Sequence, residues 1–234
     1  MPVNLLTRTD FSPRPASEAR ERFARKVALP SDAFERLSNA ARSRAFRIAG
    51  VNNVRLVQQA RNVIARAIED GTEWSTVQRD LVKRFAAAKV DAPSVARLAQ
   101  MFRQNALRAY HEARREVLDE PEMREQFPYW RYLTVGNGTP GVNGVRDDHA
   151  ALHGLVFRAD DPFWKRHYPP WDWGCRCYVV PLTPGQVAGM ETPVRSLRYV
   201  RKELGVSASS YNADAVSDAN VDEELKAALA ELGT

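Results

Sequence analysis

The sequence predicts an α+β protein, with a mainly helical N-terminal region followed by a small mixed domain that has a short antiparallel sheet. Three observations carry that expectation. Apolar residues recur three and four positions apart through much of the first 120 residues. Beyond Pro121 the composition changes, and four of the five tryptophans fall between 130 and 173. That second stretch also holds three short runs rich in aromatic and β-branched residues, bounded by Gly and Pro.

Length and charge bound the answer further. A chain of 234 residues holds one large domain or two small ones. No apolar run approaches the roughly 18 residues a membrane span needs. The first twenty residues lack a basic segment followed by an apolar one, which argues against a signal peptide. Two cysteines cannot build a disulfide framework, which points to a reducing compartment. The net charge of +5 is uneven: residues 1–120 carry 22 basic and 14 acidic side chains, and the remainder 12 and 15. A basic half attracts nucleic acid or an acidic protein surface, or is simply a solvated arginine-rich face. Zinc-finger spacing, an RNP-like aromatic motif and a basic-zipper pattern are all absent from the sequence.

The elements follow in order. Residues 1–30 carry prolines at 2, 13, 15 and 30 and read as an arm with a short helix over 16–27. From Ala33 to Ile68 the apolar spacing predicts two helices, or one bent near Gly50. Gly71 stops that element, and Ser75 with Gln78 resembles a capping box for a helix running through Phe85. A long helix from about Ser94 to Asp119 ends at Pro121, so 31–120 forms a helical basic domain. Residues 121–204 read as a small α+β module with strands at Tyr129–Val135, Leu155–Arg158 and Cys175–Leu182. The Gly136–Gly144 loop lacks the Lys-Ser/Thr ending of a phosphate loop. Residues 205–234 read as a flexible tail, linker-like over 205–220, with a short amphipathic helix at 221–232 whose Leu225 and Leu229 are candidate partner-binding residues.

The chemistry-bearing residues cluster. Three of the four histidines and both cysteines lie between His149 and Cys177. His149 and His153 are four apart and would share a helix face. With Cys175 and Cys177 they make a His₂Cys₂ set that zinc would accept, although Cys-x-Cys is tighter than usual zinc-ligand spacing. Two other readings stand beside it: a cysteine nucleophile with His149 as base, and a structural cluster with the cysteines as small buried hydrophobes. Trp130, Trp164, Trp171 and Trp173 read as the core of a loop-rich domain, or in part as an exposed hot spot.

Arg146, His149, Leu152, Gly154, Trp164, Pro169-Pro170 and Cys175-Arg176-Cys177 together resemble the C-terminal module of the phage Mu F-like minor head proteins, the phage head morphogenesis family. Upstream, Ala45-Phe46-Arg47-Ile48-Ala49, Ala67-Ile68-Glu69-Asp70-Gly71-Thr72, Asn105-Ala106-Leu107-Arg108-Ala109-Tyr110 and Pro128-Tyr129-Trp130-Arg131-Tyr132 are similar to further segments of that family, so the likeness covers roughly residues 16–185. Two departures stand out. Gly136 follows Val135 where members often have Asp, and Asp172-Trp173-Gly174 precede Cys175 where many have His or Asn.

The resemblance implies a structural minor head component of a tailed phage. Such a protein associates with the portal or major capsid protein during assembly in the host cytoplasm and is carried in the virion head. Its basic helices would face DNA or an acidic partner, no membrane would be involved, and no substrate would be turned over. The competing expectations are an enzyme acting through the His/Cys module, as hydrolase, nuclease or toxin, and a DNA-binding accessory protein.

Overall fold

The computed structural model describes residues 14–207 and 218–232. The first thirteen residues of the expected arm, and the part of the expected linker over 208–217, lie outside the described residues. The described chain falls into two units. One runs to Ala113 and takes in the C-terminal helix, and the other begins at Arg114.

The first unit is built from α1 (Arg14–Ala24), β1 (Val27–Ala28), α2 (Ser31–Arg36), α3 (Asn39–Ser43), β2 (Ala45–Phe46), α4 (Val54–Asp70), α5 (Trp74–Ala87) and the first part of α6 (Val95–Asp119). Helix α4 starts where the Asn53 side chain accepts from the Leu56 amide. It stops at Gly71, which takes the left-handed conformation and donates to the Ala67 carbonyl. Between these ends Leu56, Val57, Ala60, Val63, Ile64, Ala67 and Ile68 are buried, the inward stripe of a 3.6-residue period. Val77, Leu81 and Phe85 of α5 and Leu98, Met101, Ala109 and Ala113 of α6 complete the same core. Phe23 meets Phe46 edge-on with centroids 5.4 Å apart.

Two expectations change here. The stripe from Ala33 onward is not one or two helices: α2, α3 and β2 precede α4. The break falls where Leu37 turns extended and Ser38 caps α3, its hydroxyl accepting from the Ala41 amide at 3.2 Å. Ser75 does not cap α5, because that helix begins one residue earlier with Glu73 at its N-cap and no side-chain cap.

Within this unit Lys26 is buried and donates from Nζ to the Ser43 carbonyl. Arg108 pairs with Glu112 at 2.7 Å. Burial first, then Arg108, lower the Lys26 amine to about 8, with Glu112 working against them.

The second unit holds α7 (Pro121–Gln126), β3 (Tyr129–Leu133), α8 (Asp147–Ala151), β4 (Val156–Arg158), α9 (Phe163–His167), β5 (Tyr178–Leu182), α10 (Pro184–Ala188), β6 (Val194–Arg195) and α11 (Leu197–Tyr199), which continues as a turn of π-helix over Val200–Leu204. The sheet order is β5-β3-β4-β6, with β3 antiparallel to both neighbours and β6 parallel to β4. The period of two along β3 sends Trp130 and Tyr132 inward. Trp130, Trp164 and Trp171 are fully buried, whereas Trp173 is 46% exposed. The third expected strand starts late: Cys175-Arg176-Cys177 lie in the approach to β5, which opens at Tyr178.

The last helix, α12 (Asp218–Ala230), belongs with the first unit. Val221, Leu225 and Ala228 face inward, three and four residues apart. The Ser38 amide and hydroxyl both donate to Glu224, at 2.5 and 2.7 Å. Arg44 pairs with Asp222 at 2.8 Å and Arg36 with Glu231 at 2.5 Å. No described helix is long and apolar enough to cross a membrane.

Candidate metal centre

His149 sits in the middle of α8, a five-residue helix too short to be stable by itself. Its position is fixed by contacts. Asp148 Oδ1 accepts from the His149 amide at 2.8 Å, and Leu152 just beyond is fully buried. The imidazole stacks on Trp171 with centroids 4.0 Å apart and planes 9° from parallel. With the ring plane set, each nitrogen has a defined neighbour. Nε2 faces Arg146 Nη2 at 2.6 Å, and Nδ1 faces Cys177 Sγ at 3.3 Å. Tyr132 Oη lies 3.3 Å from the same Nδ1 and accepts from Trp171 Nε1 at 2.7 Å.

Cys175 is brought in by the same loop. Its Sγ, Cys177 Sγ and a His149 ring nitrogen all lie within 4.8 Å of one another. Cys175, Cys177 and His149 are only 3%, 4% and 3% exposed. Arg146 is held on the rim by the Trp173 carbonyl and by Asp172 Oδ2, each at 3.0 Å.

The two sulfurs share protons unequally. A hydrogen bond from the Cys177 thiol, with a further one from His149, holds Cys175 below the usual thiol range against the opposing effect of burial. That same hydrogen bond, together with burial, pushes the Cys177 thiol up. Burial and the adjacent sulfurs likewise push the Tyr132 phenol well up. One nitrogen and two sulfurs converge as soft-metal ligands do.

The remaining candidates sit elsewhere in the unit. His153 lies outside the ligand group: its Nδ1 accepts from the Thr134 amide at 3.1 Å, and burial lowers its pKa. It braces the glycine loop, because a Cβ on Gly138 would stand 2.5 Å from the His153 Cβ and Gly138 has φ +75. Gly154, at φ +81, accepts from Arg131 Nε at 3.2 Å. Pro169 and Pro170 are buried and joined by a cis bond. Arg176 is half-buried beside Gly144. Of the tail pair, Leu225 is buried and Leu229 is 44% exposed, so the two do not present one face to a partner. Sequence reasoning passed over Tyr132 as a member of the cluster, although the alternation in Tyr129-Trp130-Arg131-Tyr132-Leu133 marks it as inward-facing.

Comparison with known proteins adds three findings. The model of the family described as Phage Mu protein F like protein matches residues 58–180. The chain is 34% identical over 162 residues to the "Mu-like prophage FluMu F protein" of Haemophilus influenzae, across 64% of this chain and 37% of that protein. It is 29% identical over 206 residues to the "Putative capsid assembly protein F" of Escherichia phage Mu, across 81% of this chain and 42% of that protein. The chain thus spans about two fifths of the length of these relatives. No solved structure matches it significantly.

Proposed function

The chain belongs to the Phage Mu protein F like family, and from that premise we propose that it is a structural minor component of a tailed-phage head. In this reading it associates with the portal or a major capsid subunit during assembly in the host cytoplasm and remains in the virion. It turns over no substrate. The observation that carries the reading is the family match over 58–180, which runs from the second turn of α4 into β5 and includes the His/Cys cluster. The name of the phage Mu relative, a putative capsid assembly protein, points the same way.

The geometry supports binding over turnover. A reacting group must meet its substrate, yet His149, Cys175 and Cys177 are buried under Trp171 and Tyr132. The C-terminal end of α12, with Leu229 exposed at 44% and Leu232 just past the helix at 39%, offers apolar surface for docking. The basic surplus would face packaged DNA or an acidic partner, although Arg36, Arg44, Arg47 and Arg84 already pair with carboxylates of their own unit.

The test is compositional. Heads purified from producing cells should contain the chain in low copy number, cross-linked to a portal or capsid subunit; heads without it would overturn the proposal. Leu229→Asp should reduce incorporation while the isolated protein keeps its helical signal, and unchanged copy number would remove α12 as the docking surface. Hydrolase or nuclease activity lost in His149→Ala would favour an enzyme instead. A steep salt dependence of DNA affinity would add a DNA-facing role.

A further inference from the structure

We propose that His149 Nδ1, Cys175 Sγ and Cys177 Sγ form a binding site for a zinc-like divalent metal ion inside the second unit. Convergence is the first support. Ligands about 2.1 and 2.3 Å from a tetrahedral metal stand roughly 3.6 Å apart. Nδ1 and Cys177 Sγ are already 3.3 Å apart, and a His149 ring nitrogen and both sulfurs fall within 4.8 Å of one another. Three separate devices aim these atoms: the Trp171 stack fixes the imidazole plane, α8 sets its height, and the Cys-x-Cys spacing brings both sulfurs to one place.

The surroundings suit a metal–thiolate centre. Trp171 Nε1 donates to Tyr132 Oη, which leaves the phenol hydrogen free to reach a ligand sulfur. Such outer hydrogen bonds orient ligands and moderate their charge. Two thiolates side by side in a core repel each other, and a divalent cation between them neutralises both. As the metal enters, the protons still on sulfur leave to solvent, so affinity rises with pH.

One contact has to change. A neutral imidazole bound through Nδ1 carries its hydrogen on Nε2, where Arg146 Nη2 now stands at 2.6 Å. Arg146 already holds the Trp173 carbonyl and Asp172, so it can release Nε2 without losing all its partners. The three residues leave a fourth position to a ligand from outside the set. His153, with Nδ1 on Thr134, is not among the converging donors.

The experiment uses the full chain purified without chelators or a polyhistidine tag. Elemental analysis should find about one zinc per chain, as expected for a site of this type. Co²⁺ added to metal-stripped protein should give thiolate-to-cobalt charge-transfer and tetrahedral d–d bands. Cys175→Ser, Cys177→Ser and His149→Ala should each lose the charge-transfer bands or weaken them several-fold, and His153→Ala should keep them. Wild type with neither bound zinc nor a cobalt spectrum overturns the site, even if the variants fail to fold. Full metal retention in the Cys175→Ser, Cys177→Ser double variant, or its loss in folded His153→Ala, overturns the ligand assignment.

Discussion

The two units solve the same packing problem with different materials. The first buries Ala, Val, Ile and Leu on long helix faces, with Phe23, Phe46 and Phe85 as its fully or nearly fully buried rings. The second has only short regular elements and fills its interior with Trp130, Tyr132, Phe157, Phe163, Trp164 and Trp171 around His149, His167 and the two cysteines. Each aromatic ring removes 150–250 Å² from water, so a few large side chains replace several turns of helix. A helical unit depends on continuity of its stripes. An aromatic unit depends on a small number of interlocked rings, and is correspondingly brittle.

That contrast predicts unequal damage. Trp130 packs on Trp164 at 5.4 Å and Tyr168 at 5.9 Å between ring centroids. Trp130→Ala should destabilise the second unit by about 3–5 kcal/mol. It should abolish most near-ultraviolet dichroism while far-ultraviolet helicity largely persists; joint loss of both signals would show one cooperative block. Ile64→Ala in α4 should cost about 2–4 kcal/mol and do the reverse, lowering the helical melting temperature with the aromatic signal intact.

Acid and base should separate the units more finely. Burial, with Arg201 and Arg166 nearby, lowers His167 from 6.5 to about 4. The unfolded chain then takes up a proton that the folded second unit refuses, so stability falls as pH drops through that window, and His167→Phe should flatten the slope. Lys26 titrates near 8 when folded and 10.5 when unfolded. Between those values the unfolded chain again carries the extra proton, so the first unit gains stability as pH rises, and Lys26→Met should remove the gain. Denaturant midpoints measured across both ranges check both slopes.

The smallest effect belongs to the C-terminal helix. Replacing Asp222, Glu224 and Glu231 with Ala removes its links to Arg44, Ser38 and Arg36, which are largely solvent-facing. About 1–2 kcal/mol in total is expected, read as faster amide exchange in α12 with no change in either core.

How much of this was legible in the sequence follows from the same contrast. Helices α4, α5 and α6 are written in their periodicity, because a long stripe averages over local exceptions. The stretch from Ser31 to Phe46 misleads, since its apolar spacing continues while Leu37 ends one helix and Ser38 caps the next. The β1–β2 pairing rests on two residues from each strand, Val27 with Ala45 and Ala28 with Phe46, too short to leave a pattern. The cluster was legible as a group of residue types but not as a geometry. His149 and His153 are four apart, yet α8 ends at Ala151 and the two part company, one to the sulfurs and one to Thr134. Which cysteine and histidine atoms meet depends on the Trp171 stack, a contact between residues 22 positions apart in the chain.

Because α12 returns to the first unit, everything from Arg114 to Asp214 is bracketed by a single host. The host is therefore completed by pairings that reach across the whole second unit, such as Arg44 with Asp222. Contacts of such long reach along the chain form slowly, because the intervening segment must be closed before they can reward it.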